Sequence, residues 1–227
     1  MNLINKDSKI LIVGDSWGCG EWGLDPHSKK YTVLHKGLEQ YLIDFDCTVT
    51  NLSVGGRSND SIFRTLKEQI QFSYDVIIWF QTDPLRNLRP YLENLEIFKK
   101  EKDDFILVHD ELLDLTYKKF NSLNTPIYCL GGTTRLDLDL MKKYSNLHPV
   151  IPSIAEFFGD VQVRIWPSSW VQEFASKYEK IFTESLLNYL YSECNVNLSV
   201  KWFYPDGRHP NRAAHEKIFE CLKNYTK

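Results

Sequence analysis

Short apolar runs alternate with longer amphipathic stretches along most of the chain. KILIV (9–13), CTVTNLS (47–53), YDVIIWF (74–80) and TPIYCL (125–130) read as strands, with the less apolar VQVRI (161–165) as a fifth. Several are apolar without a break and rich in Ile, Val and aromatic residues. That suits parallel strands covered on both faces, where no alternation with polar residues is needed. Helix-like periodicity fills residues 29–44, 58–72, 106–122 and 170–192, and HEKIFECLKNY after Pro210 forms the last helix. A β-α-β-α order predicts an α/β sandwich, helices on both faces of a mainly parallel five-stranded sheet.

The stretch 85–114 is charged and longer than a crossover requires, so it reads as a helical insertion within a single domain spanning 1–227. A content of 43% hydrophobic residues is enough for a sizeable core without staples. The net charge of −3 gives no footprint for nucleic acid or an anionic membrane, so neither is expected as a partner. Five scattered cysteines without a C-x-x-C pair point to a reducing compartment and to neither disulfide framework nor zinc site. His27, His35, His109 and His148 have no partner at ligand spacing, so no metal and no cofactor are expected. No apolar run resembles a leader or a membrane span, and the expected location is cytoplasmic.

In parallel sheets ligands sit beyond the carboxyl ends of the strands, so the chemistry should lie in GDSWG (14–18), SVGGRSND (53–60), QTDPLR (81–86) and CLGGTT (129–134). Gly18, Gly20 and Gly23 spell G-x-G-x-x-G, but four residues late for a dinucleotide loop, and the second strand ends without an acid. Gly14 to Gly18 also spell G-x-S-x-G. Small residues around Ser16 permit a sharp turn that presents its hydroxyl, which needs a histidine to take its proton and an acid to orient that histidine. Asp206 and His209, three residues apart in PDGRHP, supply both. The α/β-hydrolase arrangement does not fit, because there the serine follows a middle strand and the acid and histidine come from separate loops.

GDSWG near the N-terminus, NLSVGGRSN after the second strand and DGRHPN near the C-terminus together resemble the SGNH (GDSL-type) hydrolase superfamily, whose members are esterases, lipases and carbohydrate deacetylases. GGRSN is similar to the carbohydrate-acetylesterase branch. The resemblance implies a flavodoxin-like three-layer α/β/α fold. It also implies Ser16 as nucleophile, His209 as general base and then acid, and Asp206 as its orienting partner. It further implies an oxyanion hole of the Ser16 N–H, a glycine N–H (Gly56, with Gly55 the near alternative) and a donor from the third motif. Family members carry asparagine at that last point, whereas this chain has Thr82, with Gln81 and Asn59 nearby.

Trp17, Arg57, Asn59, Gln81 and Trp202 are the candidate substrate contacts, while Asp15 and Asp83 read as loop braces and His215 as a packing residue. The expected activity is hydrolysis of a small O-acyl ester, acetyl above all, on a small molecule or glycan. The alternatives are a non-catalytic carbohydrate-binding module, an acyltransferase, or a lipase or thioesterase of the same fold.

Overall fold

The structure, a computed structural model, describes residues 3–84, 86, 102–123, 125–132, 134–159, 176, 179, 182–190, 198 and 200–226. The first half runs β1 (Lys9–Val13), α1 (Ser16–Cys19), β2 (Glu21–Leu24), β3 (Tyr31–His35), α2 (Leu38–Asp44), β4 (Thr48–Asn51), α3 (Asn59–Gln69) and β5 (Val76–Gln81). There follow α4 (Lys102–Asn121), β6 (Ile127–Gly131), α5 (Leu138–Met141), β7 (Leu147–Ile151), α6 (Ile154–Phe158), α7 (Glu184–Asn188), α8 (Val200–Phe203) and α9 (Arg212–Lys223).

Five strands form one parallel sheet in the order β4-β1-β5-β6-β7. Counting only these strands, that is the flavodoxin-like order 2-1-3-4-5. Apolar runs made this possible, because each strand feeds two cores at once. Ile10, Ile12, Val76, Ile78, Phe80, Tyr128 and Leu130 pack into one layer, against Leu38 and Leu42 of α2 and Ala214, Ile218 and Leu222 of α9. Leu11, Val13, Ile77, Trp79, Ile127 and Cys129 face the other layer, against Ile62 and Leu66 of α3 and Leu113, Tyr117 and Phe120 of α4. Trp79 stacks on Phe120 at a centroid distance of 3.8 Å. The result is a three-layer α/β/α sandwich.

Two elements differ from the sequence expectation. The fifth strand is β7, LHPVI, and the expected strand 161–165 lies outside the described residues. Pro149 lowers the strand signal, yet β7 is a sheet edge where a missing N–H costs no ladder bond on the open side. The helix expected over 29–44 is α2 only from Leu38; residues 31–35 are β3, paired antiparallel with β2. Gly37, at φ +56°, separates the two. A Cβ there would lie 2.6 Å from the His215 ring, so glycine also makes room for α9. Of the expected insertion, residues 85 and 87–101 lie outside the described residues, and 102–114 are the first turns of α4. Of the helix expected over 170–192, the described part contains α7. Among the described residues no helix is long and apolar enough to cross a membrane.

Candidate active site

Strand β1 ends at Val13, and the chain turns at once into the one-turn helix α1, which begins with Ser16. The glycines around it serve close approach. A Cβ on Gly14 would lie 2.7 Å from Phe80 Cβ, and one on Gly18 would lie 2.3 Å from Ser53 Oγ. Asp15 caps α1: its Oδ1 accepts the Trp17 N–H at 3.0 Å, and its Oδ2 pairs with Arg86 Nη1 at 2.8 Å. The Trp22 indole N–H donates to the Ser16 carbonyl at 2.8 Å. Ser16 is thus fixed from both sides.

The other half of the site comes from the loop between α8 and α9. Gly207, at φ +70°, lets this loop fold back so that residues three apart meet. His209 Nδ1 lies 2.6 Å from Asp206 Oδ2, and His209 Nε2 lies 2.8 Å from Ser16 Oγ, across 193 positions of sequence. Asp206 Oδ1 accepts the Arg208 and His209 backbone N–H groups at 2.9 and 3.0 Å. Burial pushes the Asp206 carboxyl up. Hydrogen bonds from His209, from the Tyr31 hydroxyl and from the two backbone N–H groups outweigh it and hold the group down at about 2. The carboxylate is ionised at neutral pH. Asn211 then caps α9, accepting the Ala214 N–H at 3.0 Å.

Two further residues reach the site from the β2–β3 hairpin. Trp22 lies against the His209 ring at 5.6 Å and stacks on Tyr31 at 5.5 Å. The Tyr31 hydroxyl donates to Asp206 Oδ2 and lies 3.3 Å from His209 Nδ1. Burial, and then the bond to the Asp206 carboxylate, push the Tyr31 phenol up, so it stays a donor. Glu21 ties the hairpin to the start of α9: it accepts the Arg212 backbone N–H at 2.8 Å and pairs with the guanidinium at 2.9 Å. Neither Trp22 nor Tyr31 is among the candidate contacts read from the sequence. Residues 31–35 lie in the stretch that reads as helix, and nothing local joins Tyr31 to a carboxylate 175 positions away.

Val54 to Arg57 form a turn closed by Arg57 N–H to the Val54 carbonyl at 3.3 Å, with Gly56 at φ +77° in the third position, which a side chain would strain. Cys19 lies beside this turn with its thiol donating to the Asp15 carbonyl at 3.5 Å, and burial raises its pKa to about 11. Asn59, fully buried, clamps the backbone of Thr82: its Nδ2 donates to the Thr82 carbonyl at 2.7 Å and its Oδ1 accepts the Thr82 N–H at 3.1 Å. Asn59→Ala should therefore leave two buried backbone groups unsatisfied and cost about 2 kcal/mol, read as a lower urea midpoint.

The remaining candidates are spread out. Gln81 is buried and, alternating with Ile77 and Trp79 along β5, belongs to the α4 side of the sheet. Arg57 turns back to donate to the Leu52 carbonyl and to Thr65 Oγ1 at 2.9 Å, which ties its loop to α3. Trp17 is turned into the core against Phe203, and Trp202 packs on Phe158, so neither presents an open ring face at the serine. Tyr31 and Tyr204 are exposed rings close to Asp206. They line a cavity of about 720 Å³ beside Asp206, with Leu24, Leu34, Pro205 and Arg212.

No protein-family model and no curated protein matches the chain. Solved structures do. TesA is 16% identical over 94% of this chain and 95% of its own, with a TM-score of 0.47. AlinE4, an SGNH-hydrolase family esterase, is 18% identical over 78% of this chain and 95% of its own, with a TM-score of 0.42. A mutant of Axe2, an acetyl-xylooligosaccharide esterase from Geobacillus Stearmophilus, is 15% identical over 98% and 97%, with a TM-score of 0.40. The solved structures to which this chain is similar thus include an SGNH-hydrolase family esterase and a GDSL-like lipase.

Proposed function

We propose that this protein is a serine esterase that removes a small O-acyl group, acetyl above all, from an alcohol of a carbohydrate. The observation that carries the reading is the continuous relay from Ser16 Oγ through the His209 ring to the ionised Asp206. A serine hydroxyl becomes a competent nucleophile when an oriented imidazole accepts its proton.

In this reading Ser16 Oγ attacks the ester carbonyl as its proton passes to His209 Nε2. Asp206 holds Nδ1–H and stabilises the imidazolium. The oxyanion is held by the Ser16 N–H and the Gly56 N–H, with the Gly55 N–H as the near alternative. Thr82 is the third donor, kept in register by Asn59. His209 returns the proton to the departing alcohol, and a water then repeats the cycle to free the acid. The exposed Tyr31 and Tyr204 rings support a sugar as the alcohol, because aromatic faces suit the apolar face of a pyranose.

The test is a fluorophosphonate probe with the adduct mapped by mass, alongside chromogenic esters of increasing chain length. The expected result is an adduct on Ser16 and the fastest turnover with acetate. Thr82 in place of a carboxamide favours a second reading, a carbohydrate-binding module without catalysis. Glycan binding that survives Ser16→Ala and His209→Ala, with no ester cleaved, would select it.

A further inference from the structure

The Ser16–His209–Asp206 relay leaves unexplained a phenol that reaches the acid from a different part of the chain. Tyr31 sits on β3, opposite Leu24 of β2, and its hydroxyl donates to the same Asp206 oxygen that accepts His209 Nδ1–H. The hairpin is held against α9 by the Glu21–Arg212 pair, and Tyr31 is stacked on Trp22, which itself rests on the His209 ring. Its placement is therefore braced on three sides. The Asp206 side chain is only 7% exposed, with the Tyr31 phenol bonded to it.

We propose that the Tyr31 hydroxyl is a positioning group for His209, acting through Asp206 rather than on substrate. The inference deepens the esterase reading and rests on it for its kinetic consequence. A carboxylate that accepts several hydrogen bonds has its charge spread and its plane fixed. The Tyr31 bond aims Oδ2 at Nδ1, which selects the tautomer with Nε2 facing Ser16. It also weakens the hold of the carboxylate on the proton of the imidazolium, so the ring gives that proton up to the leaving alcohol more readily. Asp206 faces the ring from its own loop, Ser16 from α1 and Tyr31 from β3, with Arg208 in electrostatic reach of Tyr31 and His215 of His209. Of the two neutral hydroxyls, Tyr31 is the one that can be removed without deleting the nucleophile.

Tyr31→Phe keeps the ring on Trp22 and deletes only the hydroxyl. With Asp206 a less occupied and stronger partner, the acid limb of the kcat profile should move up by about 0.5 pH unit or more, with kcat lower by roughly tenfold and KM unchanged. The midpoint of the His209 ring titration, followed by NMR in wild type and Tyr31→Phe, should move the same way. This second readout needs no turnover. If wild type neither cleaves esters nor takes the probe, the esterase reading fails while the ring titration still decides the role of Tyr31. An unchanged His209 titration in Tyr31→Phe overturns the proposal, as does a loss confined to KM, which would make the hydroxyl a substrate contact.

Discussion

Ser16→Ala should lower kcat for a chromogenic acetate ester by about 10⁴-fold or more, with little change in KM, because it removes the bond-forming atom while leaving the loop intact. Ser16 contributes its hydroxyl only to His209, and its backbone carbonyl still accepts the Trp22 indole N–H, so folding should be unaffected. His209→Ala should cost a similar factor, and the double variant no more than either alone, since nucleophile and base act as one unit. Asp206→Asn should fall by a comparable factor, because an amide can donate to Nδ1 and favour the wrong tautomer. Steady-state kinetics on the four proteins, each checked for an unchanged thermal midpoint, measures this. Additive losses would show that Ser16 and His209 act separately.

Acid should destabilise the protein well before its carboxylates titrate. His215 is fully buried, on α9, with Gly37 against its ring and Phe80 nearby. Burial, helped by the charges of His35 and His209, lowers it from 6.5 to about 4, against the Gly20 backbone and Glu21, which favour the charged form. The unfolded chain takes up this proton near pH 6.5, and the folded chain only near 4. Between those values the unfolded state binds more protons, so stability falls as the pH falls, by roughly 3 kcal/mol in all. Asp206, lowered to about 2, acts in the next window: its contribution is present above 3.8 and is lost as the pH falls toward 2. For a chain of this size the His215 effect corresponds to a thermal midpoint lower by about 10 °C at pH 4 than at pH 7. Melts across that range on wild type and His215→Gln test it. The variant should show a much flatter dependence, and equal slopes would remove His215 as the cause.

The layered fold was largely legible in the sequence because parallel strands buried on both faces leave uninterrupted apolar runs, as in VIIWFQ of β5. β7 was not legible, since an edge strand tolerates Pro149 and so lacks the usual pattern. The hairpin was lost for a related reason: β3 and α2 are joined through Gly37, and their combined apolar positions mimic one helical face. At the site, Ser16, Asp206 and His209 stood out because their flanking glycines and prolines carry local turn chemistry. Asn59 appeared as a candidate contact, but its clamp on the Thr82 backbone depends on how closely α3 approaches the end of β5.

Local sequence by itself determined the acid–histidine turn and the cap of the serine helix, because the left-handed Gly207 and the Asp15 bond to the Trp17 N–H depend on near neighbours in the chain. Tertiary structure alone decided that Tyr31 meets Asp206, that Trp22 supports His209 and that Trp17 turns inward rather than toward solvent. Those contacts join segments up to 187 positions apart, from Trp22 to His209. No periodicity encodes them; they follow from which faces the sheet leaves for the hairpin and the last helix to cover.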